Sequence, residues 1–275
     1  MQILAEAEDL PKTANIKTQL ISLWCVPIFG AALLVAFVAF PGFFPPMSPD
    51  MPADQVAAFY RDNAAMIRFS MITFNLCGIM LLPLFMVIVV QMKRMATQSH
   101  VFAYCYLTAA VSGATLFAVA DIFYLVAAFR PDRNPELVVL LNDMAWIIFI
   151  APVGAIVAMN LLLAAAIYFD DGPNPVFSRW VGHYALATAL AMAPAVGAAI
   201  FRTGPLAWDG AVSFWLRNGA FALFVVVMFF VLRAALQRQA VEEGVADARS
   251  ETADAHARSE TADAHARSEI AEVSP

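Results

Sequence analysis

Two ionisable residues stand inside long apolar runs, Asp121 and Arg217, and with Asn75 and Tyr124 they are the side chains best placed to do chemistry. If those runs cross a bilayer, each charge costs about 2.5–3.5 kcal/mol on insertion scales, which makes such residues default candidates for function. Asp121 lies nine residues before Arg130, roughly 13 Å along a helix that rises about 1.5 Å per residue, which places it near mid-span. Arg217 enters the last apolar run from the same side. Tyr124 is one helical turn from Asp121 and can donate a hydrogen bond to it. Asn75 and Asn160 add polar groups at depth. Two readings are open. Asp121 and Arg217 can face a common cavity, the first taking a cation or proton and the second an anionic group. Alternatively they pair and lock the bundle, in which case losing one partner is costly.

Other chemistries lack their residues. A rhomboid-type serine protease needs a GxS motif and a late-helix histidine, but Ser112–Gly113 has no preceding glycine and His183 is the only histidine in a late run. There is no HExxH zinc helix. The chain has 4 histidines, too few for a membrane di-iron centre. His100 and His183 are the only ones outside the tail, which leaves bis-histidine haem ligation without a pair. Met47 and Met51 do not suffice to specify copper. The expectation is no metal, no cofactor and no catalytic residue. Cys25, Cys77 and Cys105 lie in separate apolar segments, with no CxxC or disulfide spacing.

The elements that must position these residues follow from composition. The sequence is 61% hydrophobic and 14% charged, against about 25% charged in a soluble domain. Six runs approach the roughly 20 apolar residues needed to cross about 30 Å of hydrocarbon. They are Leu20 to Phe40, Ser70 to Met92, Val101 to Phe129, Met144 to Phe169, Trp180 to Ile200 and about Ala211 to Leu232. The first is longer than a signal-peptide core of about 7–15 residues and ends in Pro41–Gly42–Phe43–Phe44–Pro45–Pro46 without a small-residue cleavage site. The expected fold is all-α: a polytopic six-span bundle over residues 20–237, preceded by a cytoplasmic segment 1–19 and followed by a charged tail 238–275.

Pro27, Pro83, Pro152 and Pro194 fall inside four spans, where each removes a backbone donor and tends to kink its helix. The fifth span is rich in alanine, which lets helix backbones approach closely and suggests a central position. Lys and Arg near the span ends number seven on the side of both termini and six on the other. This favours both termini in the cytoplasm and the inner (plasma) membrane as location. The outer loops are then Pro41 to Arg68, Arg130 to Asp143 and Arg202 to Gly210. The first reads as a short surface helix capped by Asp54, with Val56, Phe59 and Tyr60 on one face. Asn63, Asn142 and Asn218 open the even-numbered helices 79 and 76 residues apart, a faint sign of a threefold hairpin repeat.

From Arg238 the sequence changes character, with ARSETADAH present twice. Nine residues are two and a half turns at about 3.6 residues per turn, so successive copies face opposite sides and form no coiled-coil seam. A solvated, partly helical tail is expected, with Asp254–Arg258 and Asp263–Arg267 as i, i+4 pairs and no metal role for His256 or His265.

Several segments together carry a resemblance: FFPPMSPD followed by VAAFYRDN, then FRPDRNPELVVLLNDMAW, NPVFSRWVG, and TGPLAWDG with a following FW. Over roughly residues 20 to 235 the chain resembles a family of bacterial six-helix integral membrane proteins to which no activity is attached. The resemblance implies the membrane class and nothing about substrate or catalysis. The residues themselves point to a small amphipathic ligand, bound or moved through an outward-facing polar cavity at Asp121, Arg217, Asn75 and Tyr124. The competing expectation is a noncatalytic accessory subunit whose partner is another membrane protein. With no basic patch, no nucleic-acid partner is expected.

Overall fold

The computed structural model describes residues 12–272, with side chains from 15 to 244. The segment before residue 12, and the tail pairs and histidines expected from 254 onward, lie outside the described side chains. Among the described residues there is no strand, and 6 helices are long and apolar enough to cross a membrane. They span Asn15–Ala39, Ala64–Lys93, Val101–Phe129, Pro135–Tyr168, Arg179–Ala199 and Ala211–Gly244. Helices are the form expected there, because in lipid each backbone polar group must be satisfied within the segment. Leu34, Leu76, Leu190 and Phe230 are more than half exposed on these helices, a surface that lipid covers and water would not. The chain is a multi-pass integral membrane protein.

The elements in chain order are α1 (Lys12–Ala39), α2 (Ala53–Asp62), α3 (Ala64–Gly78), a 3-10 turn (Ile79–Leu81), α4 (Leu82–Lys93), α5 (Val101–Phe129), α6 (Pro135–Ile150), α7 (Gly154–Tyr168) and α8 (Arg179–Met192). A 3-10 stretch (Ala193–Ala199), a π-helical turn (Ala211–Leu216) and α9 (Arg217–Glu272) complete them. Three of the four intramembrane prolines interrupt their helices. Pro83 follows the 3-10 turn, Pro152 lies in the break between α6 and α7, and Pro194 begins the 3-10 stretch. Pro27 leaves α1 continuous.

Two loop boundaries differ from the sequence reading. The fourth span begins at Pro135, not Met144, because Asn134 accepts the Glu136 N–H at 3.0 Å and Pro135 takes the first helical position. Asn142 and Asp143 therefore sit inside a helix. The first loop ends sooner as well: α3 begins at Ala64, so Arg68 lies on it, donating to the Ala128 carbonyl at 2.7 Å. Asp54 does not cap α2; Pro52 holds that position and Asp54 sits in the first turn. Val56 and Tyr60 of α2 are buried, with the helix packed against α6.

Residues 21–233 form one compact unit, and a second is made of the residues up to 20 with those from 234 onward. In the first, α5 packs against α3, α4, α6 and α7, and α8 packs against α7. Half of the fifth apolar window is buried, in keeping with its alanine content. The core of the first unit gathers Phe40, Phe43, Tyr60, Tyr124, Trp146 and Phe214, all of them buried. In the second unit Ile16, Gln19, Ala235, Leu236 and Gln239 are buried.

Candidate functional site

The site is built on one face of α5. Phe117, Asp121 and Tyr124 are separated by four and three residues, which stacks them along a single helical face. The Phe117 ring meets Phe74 at 5.6 Å and Phe149 at 5.8 Å between centroids, while Tyr124 meets Phe40 at 5.3 Å and Trp146 at 6.0 Å. Asp121, between them, faces the same aromatic interior. Its side chain has no exposure, and neither carboxyl oxygen accepts a hydrogen bond. The Tyr124 hydroxyl and the Trp146 indole N–H are also buried without partners. A buried polar atom left unsatisfied costs about 1–3 kcal/mol, so each of these groups is expensive to bury as it stands.

Phe43 fills the middle of this interior. It comes from the turn after α1, yet it has no exposure. Its ring lies 4.3 Å from Phe40, 4.7 Å from Phe37, 5.5 Å from Phe149, 5.6 Å from both Trp146 and Phe214, and 6.2 Å from Phe74. The turn is tight: Met47 N–H donates to the Gly42 carbonyl at 3.0 Å, and a Cβ on Gly42 would sit 2.8 Å from the Phe40 ring.

Three contacts hold this cap in place. The Trp208 indole donates to the Met47 carbonyl at 2.7 Å, and its ring stacks on Trp146 at 6.0 Å. The Tyr60 hydroxyl of α2 donates to Asn142 Oδ1 of α6 at 3.1 Å, both residues being buried. Burial, with the Asp143 carboxylate nearby, pushes the Tyr60 phenol well above its ordinary range. At the surface Arg202 pairs with Asp50 at 3.1 Å and donates to the Pro49 carbonyl at 3.3 Å. That pair is exposed and contributes little. Asp209 stands close by, its carboxyl pushed up by burial and by Asp50 against a backbone hydrogen bond that lowers it.

The TGPLAWDG segment builds the Trp208 anchor. Gly204 has φ +84°, in the left-handed region that favours glycine. The Pro205 carbonyl accepts Val212 and Ser213 N–H at 3.0 and 3.3 Å, which caps the π-helical turn. Gly210 is required by that close approach, since a Cβ there would lie 2.4 Å from the Pro205 oxygen.

The expected pairing of Asp121 with Arg217 does not form. Arg217 donates to Asn218 Oδ1 at 2.7 Å and lies 5.2 Å from the centroid of the Phe149 ring, while Asp121 bonds to nothing. Entry from the same side fixed neither helix's rotation, and Phe149 and Asn218 give Arg217 closer partners. Asn75 ties α3 to α5, its amide donating to the Ala118 carbonyl at 3.3 Å. Asn160 donates to its own helix at Ile156. Asn63, Asn142 and Asn218 play unlike roles: Asn63 bonds back to the Phe59 carbonyl, Asn142 receives Tyr60, and Asn218 receives Arg217. Nothing in these contacts supports a repeat.

Of the four expected site residues, Asp121 and Tyr124 share one face of α5, Arg217 meets the aromatic cluster at Phe149, and Asn75 is engaged by backbone. Sequence reasoning missed Phe43, Trp146 and Asn142. The available signal was the FFPP run after a span, since a loop so aromatic must bury its rings somewhere. Among the described residues no group of three or more His, Cys, Asp or Glu side chains is placed to hold a metal. No family model, no curated protein and no solved structure matches the chain.

Proposed function

We propose that this membrane protein binds or moves a small amphipathic molecule at the buried site formed by Asp121 and Tyr124, with Arg217 over the Phe149 ring of the aromatic cluster and Asn75 supporting the α5 wall. In this reading the site opens at the bundle end bearing residues 40–62 and 201–210, the protein lies in the plasma membrane, and both termini are cytoplasmic. The observation that carries it is the Asp121 carboxyl, buried on the α5 face between Phe117 and Tyr124 with neither oxygen accepting a hydrogen bond. Charged side chains within spans normally pair or meet backbone carbonyls. One that does neither, next to an unpartnered phenol and indole, is arranged for something that comes and goes.

The test uses full-length protein in nanodiscs and a panel of short alkyl and arylalkyl amphiphiles bearing ammonium, alcohol or carboxylate heads. The expected result is saturable binding of at least one member, with its affinity changed by Asp121→Asn and by Tyr124→Phe. Absence of binding across the panel, or binding indifferent to both substitutions, contradicts the proposal. Uptake of the binder into proteoliposomes separates moving from binding alone.

A further inference from the structure

We infer that the ligand is an aromatic monocation, whose ring takes the place now held by Phe43 and whose cationic head is met by Asp121. This rests on the binding site proposed above and names its chemical class.

The shape argument comes from Phe43. A loop side chain occupies the centre of a bowl whose wall is contributed by Phe37 from α1, Phe40 just after its end, Phe74 from α3, Trp146 and Phe149 from α6, and Phe214 from the π-helical turn. The stacking with Phe149 is nearly parallel, at 15°, so the slot is formed for a flat ring. Phe43 is tethered through a turn, not through a membrane helix. That turn is held by the Trp208–Met47 bond.

The charge argument comes from the floor of the bowl. Phe117 and Tyr124 each touch rings that touch Phe43, and Asp121 lies between them on the same helical face. A ring in the Phe43 slot that carries a short ammonium arm would bring a cation to the α5 face that holds the unpartnered Asp121 carboxyl. Cations are held by the negative face of aromatic rings, most strongly when desolvated. The anionic alternative has less to recommend it: Arg217 has an unpartnered Nε, but its Nη1 already donates to Asn218 and its guanidinium lies over Phe149, whereas neither oxygen of Asp121 has any partner. A metal ion is disfavoured too: Asp121 is a single carboxylate, and no further metal-ligating cluster is present among the described residues.

The experiment compares 2-phenylethylammonium, 2-phenylethanol and 3-phenylpropionate, titrated calorimetrically against full-length protein in nanodiscs. Wild type should bind the ammonium more tightly than either of the others by about tenfold or more, the scale of a desolvated cation–aromatic and carboxylate contact. Phe43→Ala should tighten all three, because the slot is vacated, and keep the ammonium first. Asp121→Asn should remove the ammonium preference while the alcohol still binds Phe43→Ala. Phe43→Leu, which frees less space but keeps an apolar side chain, carries the same ranking should the alanine variant not fold. If the alcohol or the carboxylate binds as well as the ammonium, or the preference survives Asp121→Asn, the cation assignment is overturned while the binding site itself stands. If no probe of any charge binds wild type or the Phe43 variants, the proposed function falls with it.

Discussion

Phe43→Ala is the substitution whose consequence the structure fixes most tightly. The ring is fully buried with six aromatic neighbours whose centroids lie 4.3–6.2 Å away. Phe→Ala in a core costs about 3–5 kcal/mol. Here the low end applies, because an unfolded bundle still shelters the ring among lipid tails, leaving lost packing as the main term. About 3 kcal/mol in a domain of some 200 residues lowers Tm by roughly 6–12 °C. The control is Phe44→Ala, one residue on, whose ring is half exposed and whose loss should cost well under half as much. Thermal unfolding in one detergent at one scan rate, followed by tryptophan fluorescence, reads both. Equal shifts for the two variants would refute the claim that Phe43 is the keystone of the aromatic interior.

Other outcomes follow from the cap and the tail. Tyr60→Phe leaves Asn142 Oδ1 buried without its donor and should cost about 1–3 kcal/mol. The same phenol makes the cap alkali-sensitive. Its folded pKa lies above the unfolded value of 10.0, so its contribution is complete below about pH 10 and is lost as pH rises further; the destabilisation of wild type above that point should exceed that of Tyr60→Phe. Trp208→Phe keeps the stacking on Trp146 but removes the bond to Met47, so proteolysis or cysteine labelling within residues 41–52 should accelerate while the spans remain protected. Deleting Val241 to Pro275 should leave insertion and thermal stability unchanged, because that segment has few apolar residues to pack; a large loss of stability would count against a separate tail.

How much was legible in the sequence depends on which physical signal a feature leaves. The spans were legible because about 20 apolar residues are needed to cross a bilayer and little else requires them. Their ends were not. Asn142 and Asp143 read as loop because they are polar, yet Asn142 lies inside α6 since Tyr60, 82 residues away, satisfies it. Arg68 was read as loop for the same reason and is satisfied by a backbone carbonyl across the helix pair. The burial of Asp121 followed from its depth, and its closeness to Tyr124 from one helical turn. The pairing with Arg217 failed because depth constrains height and not rotation. Phe43 was hidden because its burial depends on a turn that carries it back into the bundle, and composition holds no record of that direction.

In the proposed function Asp121 is held free for a ligand and does not brace the fold, and one pair of measurements on Asp121→Asn decides between the two roles. Thermal stability without ligand and binding of the tightest amphiphile should be measured together, in nanodiscs, against wild type. Because the carboxyl has no hydrogen-bond partner to lose, the variant should unfold at or above the wild-type temperature while its affinity for the amphiphile changes by about tenfold or more. A variant that is strongly destabilised yet binds as wild type does would contradict the account, for Asp121 would then be serving the fold and not a ligand.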